Sequence, residues 1–304
     1  MSFVGTNLII DGIINFNKPH GMTSFQIVAL VRKLSGERKV GHSGTLDPDA
    51  TGVLSILLGQ ATKLARFLTD ATKVYRAEVE FGSATSTYDS SGAITQKGDT
   101  SSIALERIEL ALDSFRGLIE QIPPMYSAIK HHGKPLYRLA RAGIEVPRKP
   151  REVNISRLDV LDWQNPLLTI EVECSKGTYI RSLAHDLGQA LGCGAHLKGL
   201  VRLQSGPFYI DKAISLAQLD DAFQHGYWET LVYPPDTVLS HLPAIVVDAA
   251  GEDDIAHGRP LSLPKEQNGI AGEQRRAYSS DGRFLALLRF NPENELWQPG
   301  RGFL

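Results

Sequence analysis

Cysteine is scarce in this chain: Cys174 and Cys193 are the only two among 304 residues. They form no CxxC pair, so neither a disulfide framework nor a thiolate zinc cluster is expected, and a reducing compartment fits. Apolar runs are also short. None approaches the roughly 20 residues that a membrane helix needs. The first residues, MSFVGTNLIIDG, lack a basic n-region and a long apolar h-region, so no secretory signal is expected. An excess of positive charge is missing as well. Thirty-two basic against 34 acidic residues leave a net charge of −2, so any polyanion partner must be held by local clustering. The nine histidines show no HExxH, and no Walker loop, GxGxxG or GxSxG elbow occurs. Metal, nucleotide and nicotinamide chemistry are therefore unsupported. What remains is a lone carboxylate acting as nucleophile or base.

The stretch that best fits such a carboxylate is Gly41–Gly52, GHSGTLDPDATG. Three glycines permit positive φ and close backbone approach, and Pro48 fixes φ directly after Asp47. The stretch reads as a shaped loop, neither helix nor strand interior. Asp-Pro is also common in plain turns, and the loop alone leaves that reading open.

Around it the pattern alternates between sheet and helix. Gly12–Asn17 reads as a strand, and Thr23 followed by Gln26 has capping-box spacing before a helix with Ile27, Val28, Leu30, Val31 and Leu34 on one face. Val53–Leu58 reads as a buried strand and Ala61–Leu68 as helix. Over Val74–Phe81, Tyr75, Ala77, Val79 and Phe81 point one way and Arg76, Glu78 and Glu80 the other. On spacing alone Tyr75 is a core tyrosine. Ile103–Phe115 and Ile180–Leu191 read as amphipathic helices, the latter ended by Gly192, with Thr169–Cys174 a strand between them. Arg181 stands at a helix start, where it opposes the helix dipole. It is either a surface residue or the partner of an anion. A boundary is expected near Tyr233–Asp236, followed by a small β-rich tail.

Several separate stretches closely resemble the TruB-type tRNA pseudouridine synthases: NKPHGMTS, GHSGTLDPDATGVL, KVYRAEVEFG, IPPMYSAIKHHGKPLYRLARAG, KGTYIRSLAHDLG and GPF, in that order over residues 12–210. The resemblance implies an α+β pseudouridine synthase fold. A central mixed, largely antiparallel sheet flanked by helices would occupy residues 10–235, with a basic RNA-clamping insertion at about 124–151. A small β-rich, PUA-like C-terminal domain would cover 241–304. The implied activity is conversion of uridine 55 in the T-loop of tRNA to pseudouridine, without cofactor or metal.

By position, Asp47 resembles the catalytic aspartate, Arg181 the arginine paired with it, and Tyr75 the tyrosine that stacks on the target base and helps remove the C5 proton. His42 resembles the histidine near the flipped bases. Lys18, Tyr179 and Leu200 resemble pocket residues. Ser43 stands where threonine is common, Asp49 where an apolar residue is common, and Val201 and Leu203 depart from the usual Arg/Thr pattern.

The chemistry asks for these residue types. C1′–N1 must break, uracil must turn, and C1′ must join C5. Asp47 could attack C1′, attack C6 or take the 2′ proton. The expected partner is the T-arm stem-loop of tRNA, with no membrane and no obligate protein partner, for a cytoplasmic monomer. Residues 130–151 carry seven basic side chains, Lys134, Arg138 and Arg141 among them, against Glu145 alone. They are expected to clamp phosphates, although a merely solvated basic face has the same composition. Two other classes of function remain open: a non-catalytic RNA-binding protein and a guide-RNA-dependent synthase.

Overall fold

The computed structural model describes residues 10–264 and 269–300; residues 265–268 and 301–304 of the expected C-terminal domain lie outside the described residues. One ten-stranded sheet organises the larger part. From edge to edge its main path runs Val232–Tyr233, Gly12–Lys18, Thr51–Leu58, Ala195–Ser205, Lys73–Phe81, Leu167–Cys174, Arg151–Gln164 and Gly117–Gln121. Val40–Ser43 and Phe208–Tyr209 pair off this path. Every pairing is antiparallel except that of Thr51–Leu58 with Ala195–Ser205. The expected mixed, largely antiparallel sheet is therefore present.

The parallel contact is confined to Val201 opposite Thr51 and Arg202 opposite Gly52. There the backbones crowd. Gly52 has φ +101°, and a Cβ on it would stand 2.3 Å from the Arg202 carbonyl oxygen. Only glycine fits both the left-handed backbone and the close approach.

Helices cover the sheet where the apolar periodicity places them. Ser24–Ser35 opens on Thr23, whose hydroxyl accepts from the Gln26 N–H while the Gln26 side chain accepts from the Thr23 N–H, and Gly36 closes it in the left-handed conformation. Ile27, Val28 and Val31 pack with Ile14, Phe16, Leu54, Ile56 and Leu58. Ile180–Leu191 ends at Gly192, φ +79°, and buries Leu183, Ala184 and Leu187 against Ala77, Val79, Ile170 and Val172. Two expected helices are shorter than their apolar pattern. Ala61–Leu68 is resolved as a 3₁₀ segment, Gly59–Leu64, followed by the helix Ala65–Asp70. Ile103–Phe115 becomes Leu105–Leu112 plus a 3₁₀ turn, Asp113–Phe115. The first is shortened at its start, in the 3₁₀ turns, while at its far end the buried Lys73 donates from Nζ to the carbonyls of Leu68, Thr69 and Ala71.

The tail forms a second, four-stranded sheet in the order Ala244–Val246, Gln274–Tyr278, Phe284–Asn291, Leu296–Pro299. Its own core gathers Ile245, Leu285, Leu288 and Trp297. It is also stitched to the larger sheet's layer: Leu287 packs with Val238 and Leu239, the Tyr278 hydroxyl donates to Asp236, and Arg276 Nε donates to the Leu242 carbonyl.

Gly52 and Gly21 make a matched test of the crowding. Both have positive φ, but nothing lies within 4 Å of a Cβ on Gly21. Gly21→Ala is expected to cost only backbone strain, about 1 kcal/mol. Gly52→Ala also displaces the neighbouring strand and should lower the melting temperature several-fold more; equal losses in a thermal melt would contradict this packing.

Candidate active site

The loop between Val40–Ser43 and Thr51–Leu58 carries Asp47. Its ends are strand, contrary to the sequence reading of the whole Gly41–Gly52 stretch as loop: Gly41, His42 and Ser43 pair with Leu57, Ile56 and Ser55. The irregular part is residues 44–50, and it is fastened on every side. Leu46 N–H donates to the Ser24 hydroxyl at 3.0 Å, which donates back to the Leu46 carbonyl at 3.1 Å. Gly21 N–H and Lys18 Nζ both donate to the Pro48 carbonyl at 2.9 Å. Arg202 Nη2 donates to the Gly44 carbonyl at 2.9 Å. Leu46 and Ala50 are buried beneath.

Arg181 meets the carboxylate from the helix start opposite. Its Nε lies 3.1 Å from Asp47 Oδ2. The arginine side chain is 9% exposed and the aspartate side chain 47%, so a buried cation holds a carboxylate that is still open to solvent. Nη1 reaches Asp89 Oδ2 at 3.4 Å, and Nη2 donates to the Tyr126 carbonyl at 2.8 Å. The expected anionic partner of Arg181 is thus two carboxylates. Asp89 escaped the sequence reading because a Thr-Tyr-Asp-Ser stretch reads as an ordinary turn. In the structure its Oδ1 accepts from Thr87 Oγ, Ser91 N–H and Ser91 Oγ, while Tyr88 has φ +66°. That unusual backbone aims Asp89 at the arginine.

Burial pushes the Asp47 carboxyl above its ordinary range. Arg181 and Lys18 oppose the rise, and the negative charges of Asp89 and Asp49 add to it. The arginine therefore does not fully offset desolvation, although the pairing itself is as expected. Asp49 is an exposed neighbour, 3.4 Å from His20 Nε2.

The other expected site residues fall into three groups. Tyr75 and Leu200 lie half-buried on the same side as the core under Ile180–Leu191, and Tyr179 precedes Arg181 by two positions, at the helix N-cap. Burial raises the phenols of both Tyr75 and Tyr179. Tyr179 is fixed by Gln121, whose Oε1 accepts from its N–H at 2.9 Å.

Lys18 and His42 lie behind the loop. Lys18 has no exposed surface, and its three protons go to the carbonyls of Pro19, Met22 and Pro48. With every donor taken by backbone, it clamps the loop from beneath the site. Burial brings its pKa down to about 8. Burial likewise lowers the His42 pKa, helped by the charge of Arg202.

Lys134, Arg138 and Arg141 form the third group, on a small hairpin, Lys130–His131 with Lys134–Pro135, and on the helix Leu136–Arg141. This unit springs from the site itself, because Tyr137 N–H donates to the Ser127 carbonyl next to the Tyr126 that Arg181 grips.

Arg202 is the second residue at the site that the sequence reading passed over. Its neighbours Val201 and Leu203 drew notice as departures, yet a guanidinium 1% exposed lies between them. The available signal was an arginine interrupting the apolar run Leu200–Leu203.

An aspartate on an anchored loop, an arginine clamped to it and a half-buried tyrosine on the same sheet, a mixed sheet flanked by helices, define the class: a pseudouridine synthase, an isomerase of uridine. Comparison with known proteins gives the family. Residues 32–180 match the "TruB family pseudouridylate synthase (N terminal domain)", and residues 181–240 match the "tRNA pseudouridylate synthase B C-terminal domain". The chain is 44% identical over 296 residues to tRNA pseudouridine synthase B of Dehalococcoides mccartyi (strain ATCC BAA-2266 / KCTC 15142 / 195), covering 97% of each. To the protein of the same name from Geobacter sulfurreducens it is 45% identical, covering 92% of this chain and 99% of that one. Among solved structures it is similar to a chain of a Cbf5-Nop10-Gar1 complex, with TM-score 0.74, 27% identity, and coverage of 96% of this chain and 85% of that one. This chain belongs to the TruB family. The family boundary at residues 180 and 181 falls inside the large sheet's domain, since Ala195–Ser205 is a central strand of that sheet.

The raised Asp47 carboxyl has a kinetic consequence, because an ionised carboxylate is needed for attack or for proton removal. The acid limb of the single-turnover rate should lie above the ordinary aspartate value of 3.8. Asp49→Ala removes one charge that raises it and should move that limb to lower pH. A limb that stays put, or rises, would show that Asp49 does not act on Asp47.

Proposed function

We propose that this chain converts uridine 55 in the T-loop of tRNA to pseudouridine, acting on the bare RNA without a guide. The observation that carries the reading is the 3.1 Å pair of Asp47 and Arg181, its carboxylate open to solvent, with the basic unit 130–151 rooted beside it. The family membership and the names of the relatives support the substrate class.

The uridine must leave its stack to reach Asp47, at a cost of a few kcal/mol. Stacking on the Tyr75 ring returns about 1–3 kcal/mol. Asp47 then acts as nucleophile or base while C1′–N1 breaks, and the freed uracil turns in the pocket walled by Tyr75, Tyr179 and Leu200 before C5 joins C1′. Tyr75 helps remove the C5 proton. Lys134, Arg138 and Arg141 hold phosphates of the T-arm, and the four-stranded C-terminal sheet serves as a PUA-like domain. Among the described residues no group of three or more His, Cys, Asp and Glu could hold a metal ion, and the chemistry is written without one. No helix among them is long and apolar enough to cross a membrane; a cytoplasmic monomer fits the reading.

The deciding experiment is incubation of the pure protein with unmodified tRNA, mapping pseudouridine by position. Modification at position 55 by the parent, and none by an Asp47→Asn variant that still binds tRNA, is expected. Turnover by that variant would move the chemistry elsewhere. Inactivity of the parent until a guide RNA is added would favour the guide-dependent alternative.

A second outcome concerns how a chain of net charge −2 holds RNA. Neutralising Lys134, Arg138 and Arg141 together should weaken binding and flatten the slope of log K against log salt by about 0.7–0.9 for each phosphate no longer neutralised. The single-turnover rate at saturation should change far less. An unaltered salt slope would place the clamp on other residues.

A further inference from the structure

Arg202 is one of the largest fully buried side chains in the protein. None of the ion pairs among the described residues includes it. Its Nε donates to the Val53 carbonyl at 2.6 Å and its Nη2 to the Gly44 carbonyl at 2.9 Å, both neutral acceptors. Burying a guanidinium on neutral acceptors is a costly way to staple strands together, and an apolar side chain would fill the space at less cost. Its position is informative. Arg202 sits in the central strand with Gly52 opposite on one side and Tyr75 opposite on the other. The residue therefore stands between the loop that carries Asp47, which its fork holds at Gly44, and the strand that carries Tyr75, with which its own strand pairs. Nη1 packs so close that a Cβ on Gly44 would come within 3.2 Å of it.

The geometry assigns Arg202 as a positioning residue that couples Tyr75 to the Asp47 loop and keeps ring and carboxylate at one separation. The assignment rests on the proposed part of Tyr75 in handling the flipped base. The planar fork matters, because it reaches several acceptors at fixed angles in a way an ammonium cannot. The charge has a second effect. It acts on Lys18 from the Gly12–Lys18 strand, on His42 from Val40–Ser43, and on Lys73 and Tyr75 from Lys73–Phe81. Of these only the phenol gains a negative charge on titration. Burial raises it, and the Arg202 charge and hydrogen bond work against that rise, while Cys174 and Asp47 add to it.

Carbon-13 labelling at tyrosine Cζ tests the coupling without RNA. The protein has nine tyrosines, and the Tyr75 resonance is identified by its loss in Tyr75→Phe. In Arg202→Met the Tyr75 resonance should shift and its titration midpoint should rise, with the other tyrosines unmoved. In Arg202→Lys, which keeps the charge and loses the fork, the midpoint should rise less. With tRNA at saturating protein, both variants should lose at least about tenfold in single-turnover rate, the effect of one lost hydrogen bond to a charged group. Binding of tRNA should remain that of the parent. An unmoved Tyr75 resonance, a shift spread over all the tyrosines, or a shifted resonance with an unchanged rate would each overturn the assignment and leave Arg202 a strand staple. Should the methionine variant fail to fold, the lysine variant decides by the same readings. Failure of the tRNA reading would appear as an inactive parent, and the resonance measurement would still stand or fall by itself.

Discussion

Three buried cations converge on one short loop, and the site depends on that convergence. Lys18 holds the Pro48 carbonyl, Arg202 holds the Gly44 carbonyl, and Arg181 holds the Asp47 carboxylate between them. A loop of seven residues has little apolar surface with which to fix itself. Here its position is set by charge-assisted hydrogen bonds from three different strands and helices, which are the stronger kind and directional. The protein bears the desolvation of these cations so that one carboxylate stands at a defined place, open to solvent.

That arrangement also sets the electrostatics. Asp47 sits amid protein atoms that disfavour its charge, with Arg181 beside it and Asp89 on the arginine's other arm. Sharing one arginine between two carboxylates weakens its hold on each. The result is an aspartate kept reachable and less fully stabilised than in an isolated bidentate pair. Such a group retains the basicity that nucleophilic or general-base work needs. Tyr126, bonded through its carbonyl to the same arginine, ties this centre to the root of the basic unit at 130–141. The basic unit and the Asp47 carboxylate are thus joined by one side chain.

Much of the fold was legible in local pattern. The Thr23–Gln26 capping box, the alternation along Val74–Phe81 and the helix closed by Gly192 all appear where their spacing puts them. The misreadings have a common physical origin. The helix Ala65–Asp70 runs past its expected end at Leu68 to where Lys73, a cation that arrives from the next strand, takes its carbonyls. Lys18 resembles a pocket residue by motif, yet its direction is set by the carbonyls it meets after folding.

The sequence by itself determined the elements, the glycine-bearing turns and the motif set that marks the family, because each depends on residues within a few positions of one another. It also placed Asp47 before Pro48 and Arg181 at a helix start. Only the tertiary structure decided that Arg181 bridges Asp47 and Asp89, which lie 42 residues apart in the chain, and that Arg202 stands between Tyr75 and Gly52. The reason is that a buried charge is placed by the acceptors that surround it, and those acceptors come from distant segments that meet only when the sheet closes.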